Sequence, residues 1–107
     1  MEWGRLPVDL ERELQIAVRT GKLYFGLKSA LKNVKLGRGK LVILASNIRE
    51  EVKSELSYYA RLSSIPVYVF PDSSLELGSL CGKPFMVSAI TVFEAGDSEI
   101  LSLVEEG

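Results

Sequence analysis

The chain has 107 residues, the usual size of one domain, and its 47% hydrophobic content is enough for a packed core. Its net charge is −1, and Cys81 is the only cysteine, which excludes an intramolecular disulfide framework. The absence of histidine removes the commonest general base and the usual structural zinc site. The sequence therefore predicts one domain over residues 1–107 that is not an enzyme, uses no metal or cofactor, and has no signal peptide or membrane span.

Helical and strand patterns alternate in the first half of the chain. Apolar residues at helical spacing begin at Leu10, and Gly21 ends this first helix. The aromatic-rich residues 22–25 are typical of a short strand, and a second helical pattern then runs on to Gly37. Residues 40–45 form an almost continuous apolar run, which predicts a central strand covered on both faces.

Two capping patterns mark the middle of the chain. Asn47 is followed three residues later by Glu50, and this spacing predicts that Asn47 is the N-cap of a long third helix. Residues 66–70 predict a third strand, with a proline that is tolerated at its start. Ser73 and Glu76 repeat the capping spacing, which predicts a short fourth helix.

The last part of the chain completes the alternation. Residues 81–84 are a loop by composition, and Cys81 is more typical there of a small loop or core residue than of a reactive thiol. Residues 86–93 predict a fourth strand, and a short last helix follows Gly96. Strands that alternate with helices along the whole chain predict an α/β fold with helices on both faces of a sheet.

Charge is divided unevenly along the chain. Residues 19–40, the basic segment, contain seven basic residues and no acidic one: Arg19, Lys22, Lys28, Lys32, Lys35, Arg38 and Lys40. Residues 71–107 contain seven acidic residues and a single basic one, Lys83. Such asymmetry indicates one face for a polyanion, and the alternative is a basic face that is simply solvated.

Six stretches of the sequence, taken together and in this order, resemble one known family: residues 21–29, 40–47, 53–61, 76–78, 82–85 and 94–97. The family is the archaeal and eukaryotic large-subunit ribosomal protein L thirty, within the kink-turn RNA-binding group that includes ribosomal protein L seven Ae. The resemblance implies a three-layer α/β/α sandwich around a mixed four-stranded sheet. It also implies a structural constituent of the large ribosomal subunit that binds rRNA at a kink-turn or purine-rich internal loop. Such a protein is cytoplasmic, lies beside other ribosomal proteins, and is a monomer outside the ribosome.

The resemblance further implies an RNA-binding edge built from three places, of which the first is the start of the second helix. The free N–H groups and partial positive charge of a helix start attract phosphate, and a glycine lets RNA backbone approach closely. The wider kink-turn group typically has Asn-Glu where this chain has Lys-Ser, so base-by-base contacts are not carried across. The residues implied at this place are Gly26, Leu27, Lys28, Ser29 and Lys32.

The second place is the turn after the central strand, and the third is the loop before the last strand. Asn47 in the turn can cap a helix, contact a base edge, or do both. In the loop, Lys83 precedes Phe85, Met86 and Val87, which the resemblance places against a flipped-out nucleotide. An exposed aromatic ring is a natural platform for an unstacked base. The alternative for Phe85 is a core position, and strand alternation leaves Val87 partly buried.

Two other functions remain open at this point. One is a stand-alone kink-turn protein of another ribonucleoprotein or an mRNA regulator. The Lys28-Ser29 pair and residues 94–101 favour the ribosomal reading over this one. The other is a protein–protein adaptor on the same scaffold, against which the basic segment argues.

Overall fold

A computed structural model describes residues 10–103, in which helices and strands alternate as the sequence predicts. The helices are α1 (Leu10–Thr20), α2 (Leu27–Lys35), α3 (Glu50–Leu62) and α4 (Ser74–Leu80), and a 3₁₀-helix occupies Ile100–Leu103. The strands are β1 (Lys22–Phe25), β2 (Leu41–Leu44), β3 (Val67–Val69) and β4 (Ala89–Glu94). Within residues 10–103, no helix is long and apolar enough to cross a membrane.

The four strands form one mixed sheet in the order β1-β4-β2-β3. β4 is antiparallel to both of its neighbours, whereas β2 and β3 are parallel. All four residues of β2 are buried, because this strand has neighbours at both edges and helices over both faces. The predicted mixed four-stranded sheet with a covered central strand is therefore confirmed.

Alternation along β2 divides the core into two clusters, one on each face of the sheet. Leu41 and Ile43 pack in the cluster that includes α1 and α4. Val42 and Leu44 pack in the cluster that includes α2 and α3. The result is the predicted α/β/α sandwich, and each buried leucine stabilises it strongly, since truncation of such a residue to alanine usually costs about 2–5 kcal/mol.

The cap of α3 departs from the sequence prediction. α3 begins at Glu50, and its N-cap is Arg49, which makes no side-chain capping hydrogen bond. Asn47 was predicted as this cap, and that prediction is wrong because its amide bonds instead to Ser74, at the start of α4. The Ser73 cap is confirmed, since its Oγ accepts a hydrogen bond from the Glu76 N–H at 3.4 Å.

The start of β4 also departs from the prediction. The strand begins at Ala89 and not at residue 86. The reason is that the Val87 N–H donates to the Ser74 carbonyl at 3.0 Å, which directs residues 86 and 87 toward α4 and away from the strand ladder. The last helix begins only at Ile100 and is a 3₁₀-helix.

Thr91, in the middle of β4, provides a test of the core. Its Oγ1 is buried and has no hydrogen-bond partner within residues 10–103. Because a buried unsatisfied polar group costs about 1–3 kcal/mol, Thr91→Val is expected to raise the free energy of unfolding by about 1 kcal/mol or more. Urea unfolding measures this change. A lower free energy of unfolding would show that the hydroxyl is hydrogen-bonded in solution.

Candidate nucleic-acid interface

The start of α2 is shaped by Gly26, which has a backbone φ of 120° that favours glycine. The Gly26 N–H donates to the Ala89 carbonyl at 2.8 Å, which fixes the end of β1 against β4. A Cβ at Gly26 would meet nothing within 4 Å, so the backbone here faces open space. No side chain caps α2 and its first turn contains no acidic residue, so its N–H groups remain available to an anion.

The solvent face of α2 is basic. Lys28, Lys32 and Lys35 are exposed and line a shallow groove of about 450 Å³ together with Leu31 and Leu36. Lys28 and Lys32 are one helical turn apart, so their ammonium groups lie on the same side of the helix. This face can neutralise successive phosphates of one strand.

The other two residues predicted at the start of α2 have mainly structural contacts. Leu27 is half-buried against the core cluster of α2 and α3. The carbonyl and Oγ of Ser29 accept hydrogen bonds from Asn33 Nδ2 at 2.9 and 3.3 Å. Leu27 therefore anchors the helix start, while the Ser29 hydroxyl keeps its hydrogen and one lone pair for an external partner.

Asn47 lies in the turn after β2 and joins that turn to α4. Its Oδ1 accepts a hydrogen bond from the Ser74 N–H at 3.0 Å, and its Nδ2 is 3.4 Å from the Ser74 Oγ. The Ser74 carbonyl in turn accepts from the Val87 N–H at 3.0 Å. This relay of Asn47, Ser74 and Val87 connects the turn after β2 to the loop before β4. The amide of Asn47 thus supports the fold through Ser74, and because the residue is exposed, the predicted contact with a base edge stays a prediction.

The loop of residues 83–88 presents its apolar side chains in two directions. Phe85 and Met86 are 55% and 64% exposed, whereas Val87 is only 2% exposed. The exposure of Phe85 removes the core alternative. The Val87 side chain is buried and holds the loop, and the predicted contact of this residue with a nucleotide stays a prediction.

Two further contacts fix the loop. Gly78 packs directly under it, since a Cβ at this position would collide with the Phe85 carbonyl oxygen. Lys83 lies beside the loop with its Nζ 4.7 Å from the centre of the Phe25 ring, within cation–π range. Lys83 therefore brings positive charge to the rim of the loop and packs against β1.

A recess of about 160 Å³ joins the start of α2 to this loop. Ligand pockets usually hold about 300–1,000 Å³, so the recess fits one part of a larger molecule better than a whole small ligand. Most of its lining residues have apolar side chains, which can contact the faces of a flat ring. The lining residues are Phe25, Gly26, Leu27, Phe85, Met86, Val87 and Ser88.

The next question is whether a reactive thiol or a metal-binding cluster lies near this recess. Burial raises the pKa of the Cys81 thiol to about 11, against a smaller opposing effect of the nearby Lys83 charge. The thiol is therefore neutral at pH 7, and the predicted core or loop position of Cys81 is confirmed by its burial. Residues 10–103 hold no cluster of three or more side chains that could bind a metal ion.

These features define a small α/β/α sandwich protein with a basic edge that carries exposed aromatic and thioether side chains. The sequence profile of the "Ribosomal protein L7Ae/L30e/S12e/Gadd45 family" matches residues 9–102, and the chain belongs to this family.

The chain is similar to archaeal proteins named "Large ribosomal subunit protein eL30". It is 50% identical to that of Methanothermobacter thermautotrophicus, with 91% of this chain and 99% of the relative covered. It is 48% identical to that of Saccharolobus solfataricus, with 92% of each covered. A solved structure of a protein with unknown function from Bacillus halodurans C has a TM-score of 0.77 and 29% identity, and the match covers 92% of this chain and 98% of that one.

Sequence reasoning missed two residues that support the interface, Ser74 and Gly78. Ser74 stands beside the predicted cap Ser73, and nothing in the sequence shows that its backbone bonds to a turn 27 residues away. Gly78 did carry a signal, because a glycine inside a helical pattern often marks a close backbone approach.

Phe85→Ala tests the loop as a platform for a base. We expect a loss of RNA affinity of about 1–3 kcal/mol, the usual contribution of base–aromatic stacking. The dependence of affinity on salt should not change, because stacking releases no counterion. Fluorescence anisotropy across a salt series and thermal melting measure the two effects. Tyr58→Ala is the matched control, since Tyr58 is 53% exposed on α3. A large fall in melting temperature with normal RNA binding by the folded protein would contradict this role.

Asn47 variants test the relay. Asn47→Ala removes both bonds to Ser74, and a lost buried partner costs about 1–3 kcal/mol. We expect faster hydrogen exchange at the Val87 amide as well as weaker RNA binding. Asn47→Asp keeps an acceptor for the Ser74 N–H and offers a second oxygen to its hydroxyl, so protection at Val87 should return. Equal exchange at Val87 in wild type and Asn47→Ala would refute the coupling.

Proposed function

We propose that this protein is a structural constituent of the large ribosomal subunit that binds rRNA at a kink-turn or purine-rich internal loop. The observation that carries the proposal is the juxtaposition of an open, uncapped helix start at Gly26 with the exposed Phe85 and Met86 across one small recess. The names of the archaeal relatives support the ribosomal assignment.

The phosphate backbone of the RNA would lie along the start of α2. The free N–H groups of the helix bind one phosphate, and Lys28 and Lys32 neutralise its neighbours. Gly26 leaves room for the sugar-phosphate backbone because it has no side chain. With a net charge of −1 over the whole chain, affinity rests on this local patch and on shape.

The base would occupy the recess beside the loop. A regular A-form duplex keeps its bases stacked and its major groove too narrow for side chains, whereas a bent internal loop can extrude a base. An extruded base has both of its faces free. One face of the base can stack on Phe85 while the edge of the base contacts Met86. The recess thus favours a bent RNA over a straight one.

We propose that residues 1–107 act as one RNA-binding domain with a structural and not an enzymatic role, and without a metal or cofactor. Its partners are rRNA and neighbouring ribosomal proteins. It is a monomer outside the ribosome, and its place in the cell is the cytoplasmic ribosome.

The test compares a kink-turn RNA with a straight duplex of equal length. We expect tighter binding to the kink-turn, and equal affinities would refute bent-RNA recognition. Sucrose-gradient sedimentation from cells that express a tagged chain should show it with the large subunit. Crosslinked RNA that maps mainly to messages or to small ribonucleoprotein RNAs would refute the ribosomal role and leave the RNA interface intact.

Lys28→Ala tests the phosphate contacts. With roughly 3–6 contacts, log affinity of the wild type should fall with log salt at a slope of roughly −2 to −6. The variant should bind more weakly, with a slope reduced by about one. Its stability should stay within about 0.5 kcal/mol of the wild type, because Lys28 is exposed. Arg61→Ala, on the exposed end of α3, is the control that should leave the slope unchanged.

A flat salt titration of the wild type, or an unchanged slope for Lys28→Ala, would show that the basic face of α2 is merely solvated. In that case the aromatic loop alone would have to account for any RNA binding.

A further inference from the structure

The proposed interface uses only part of the basic segment. Lys28 and Lys32 lie on α2 beside the recess, whereas Lys22, Arg38 and Lys40 lie on β1 and on the connection between α2 and β2. All three are exposed. Three further exposed cations in a chain with a net charge of −1 make this region a second candidate surface for a polyanion.

An exposed aromatic pair lies at the same place. Tyr24 on β1 is 42% exposed, and its ring stacks on that of Phe93 in β4, with centroids 4.9 Å apart and planes 29° from parallel. β1 is an edge strand, so nothing in the sheet covers the outer side of Tyr24. The Phe93 ring packs on one face of the Tyr24 ring, and the exposed remainder of Tyr24 offers a surface on which a base can stack.

The backbone brings the cations to this pair. Lys22 and Tyr24 are the two exposed residues of β1, alternating with the half-buried Leu23 and Phe25. The Lys40 N–H donates to the carbonyl of Val92, the residue before Phe93, at 2.8 Å.

Gly39 completes the arrangement on the other side of Phe93. It has a φ of 108°, and a Cβ there would lie 4.0 Å from Phe93 Cε1, so the connection passes over the ring edge. The backbone of residues 38–40 therefore runs beside the Phe93 ring, while Lys22 precedes Tyr24 by two residues on the same face of β1. Glu94, paired with Lys22 in the sheet register, is an exposed acidic residue at this end of β4.

We propose that Lys22, Tyr24, Arg38 and Lys40 form a second RNA-binding surface, which binds a single-stranded segment that continues from the kink-turn. The proposal rests on the proposed function for the first contact. An unpaired segment is the ligand because stacking on Tyr24 needs a base with a free face, while the three cations need phosphates. A strand rises about 3.4 Å per residue, so Lys22 is about 10 Å along β1 from Phe25 in the recess. Because Lys22 and Tyr24 point to the opposite face of the sheet from Phe25, an RNA that contacts both places would cross the free edge of β1.

The experiment compares three RNAs with the full chain: the kink-turn RNA alone, and the same RNA with a single-stranded oligo(A) tail at its 5′ or its 3′ end. The tail is long enough to cross the molecule, whose longest dimension is 35 Å. We expect one of the two tails to increase affinity by about fivefold or more, the effect of at least one stacked base. The tail should also steepen the salt dependence.

Two sets of variants locate the tail. Tyr24→Ser should abolish the gain from the tail and leave the affinity for untailed RNA unchanged. Arg38→Gln with Lys40→Gln should reduce the extra salt slope by about one for each residue. The matched controls are Tyr58→Ser and Arg61→Gln, an exposed tyrosine and an exposed arginine on α3, which should behave as wild type. Should Tyr24→Ser fail to fold, the Arg38 and Lys40 variant decides the outcome.

The second surface is refuted if neither tail adds affinity, if the gain survives both sets of variants, or if the Tyr58 and Arg61 controls lose it equally. Failure of the proposed function looks different. The wild type would then not distinguish the untailed kink-turn from a duplex, while free oligo(A) would still bind in a manner that depends on Tyr24.

Discussion

Two adjacent carbonyl groups, those of Ser88 and Ala89 at the start of β4, hold the candidate interface together. The Ser88 carbonyl accepts from the Ala45 N–H at 2.9 Å, and the Ala89 carbonyl accepts from the Gly26 N–H at 2.8 Å. The end of β2, the start of α2 and the loop before β4 therefore meet at one point, although they lie far apart in sequence. The recess, the open helix start and the exposed Phe85 all depend on this junction.

Some side chains at the junction are buried and hold the neighbouring segments in place, whereas others are exposed to solvent. Ser74 and Val87 are buried and hold neighbouring segments in place, whereas Phe85, Met86 and Lys28 are exposed. A rigid support beneath exposed groups lowers the entropy that is lost when RNA binds. A chain with a net charge of −1 could bind a polyanion in this way, because the proposed contacts would be few and held in place by the fold.

Sequence patterns predicted most of the fold, because the strongest signals were also the most local. The apolar run at 40–45 gave β2, and the Ser73–Glu76 spacing gave the cap of α4. Asn47 shows where such reasoning fails. Its spacing to Glu50 fits a capping box, yet the side chain bonds to Ser74, and the energy of a tertiary hydrogen bond outweighed the local preference. The start of β4 was misplaced for the same reason, since a bond from Val87 to α4 redirects the chain.

The interface was predicted less completely than the fold. The family resemblance predicted which three segments form the interface. It did not predict that Val87 is buried while Phe85 and Met86 are exposed. Period-two alternation could not predict this difference either, because the loop is irregular and is not a strand. The aromatic pair of Tyr24 and Phe93 left no trace in the sequence, because its members are 69 positions apart and meet only through the register of β1 and β4.

The order of the strands in the sheet also determines when the sheet can form during synthesis. β4 is the last strand of the sheet in sequence, but it lies between β1 and β2, so β1 has no partner in the sheet until residues 89–94 have been synthesised. Pairings between such distant segments form slowly, since a long loop must close before the contacts compensate for its lost entropy. The carbonyls of Ser88 and Ala89 become available just as late. A nascent chain therefore lacks the candidate RNA-binding edge until residues 88–94 have been synthesised, and RNA can assemble on that edge only after β4 has paired with β1 and β2.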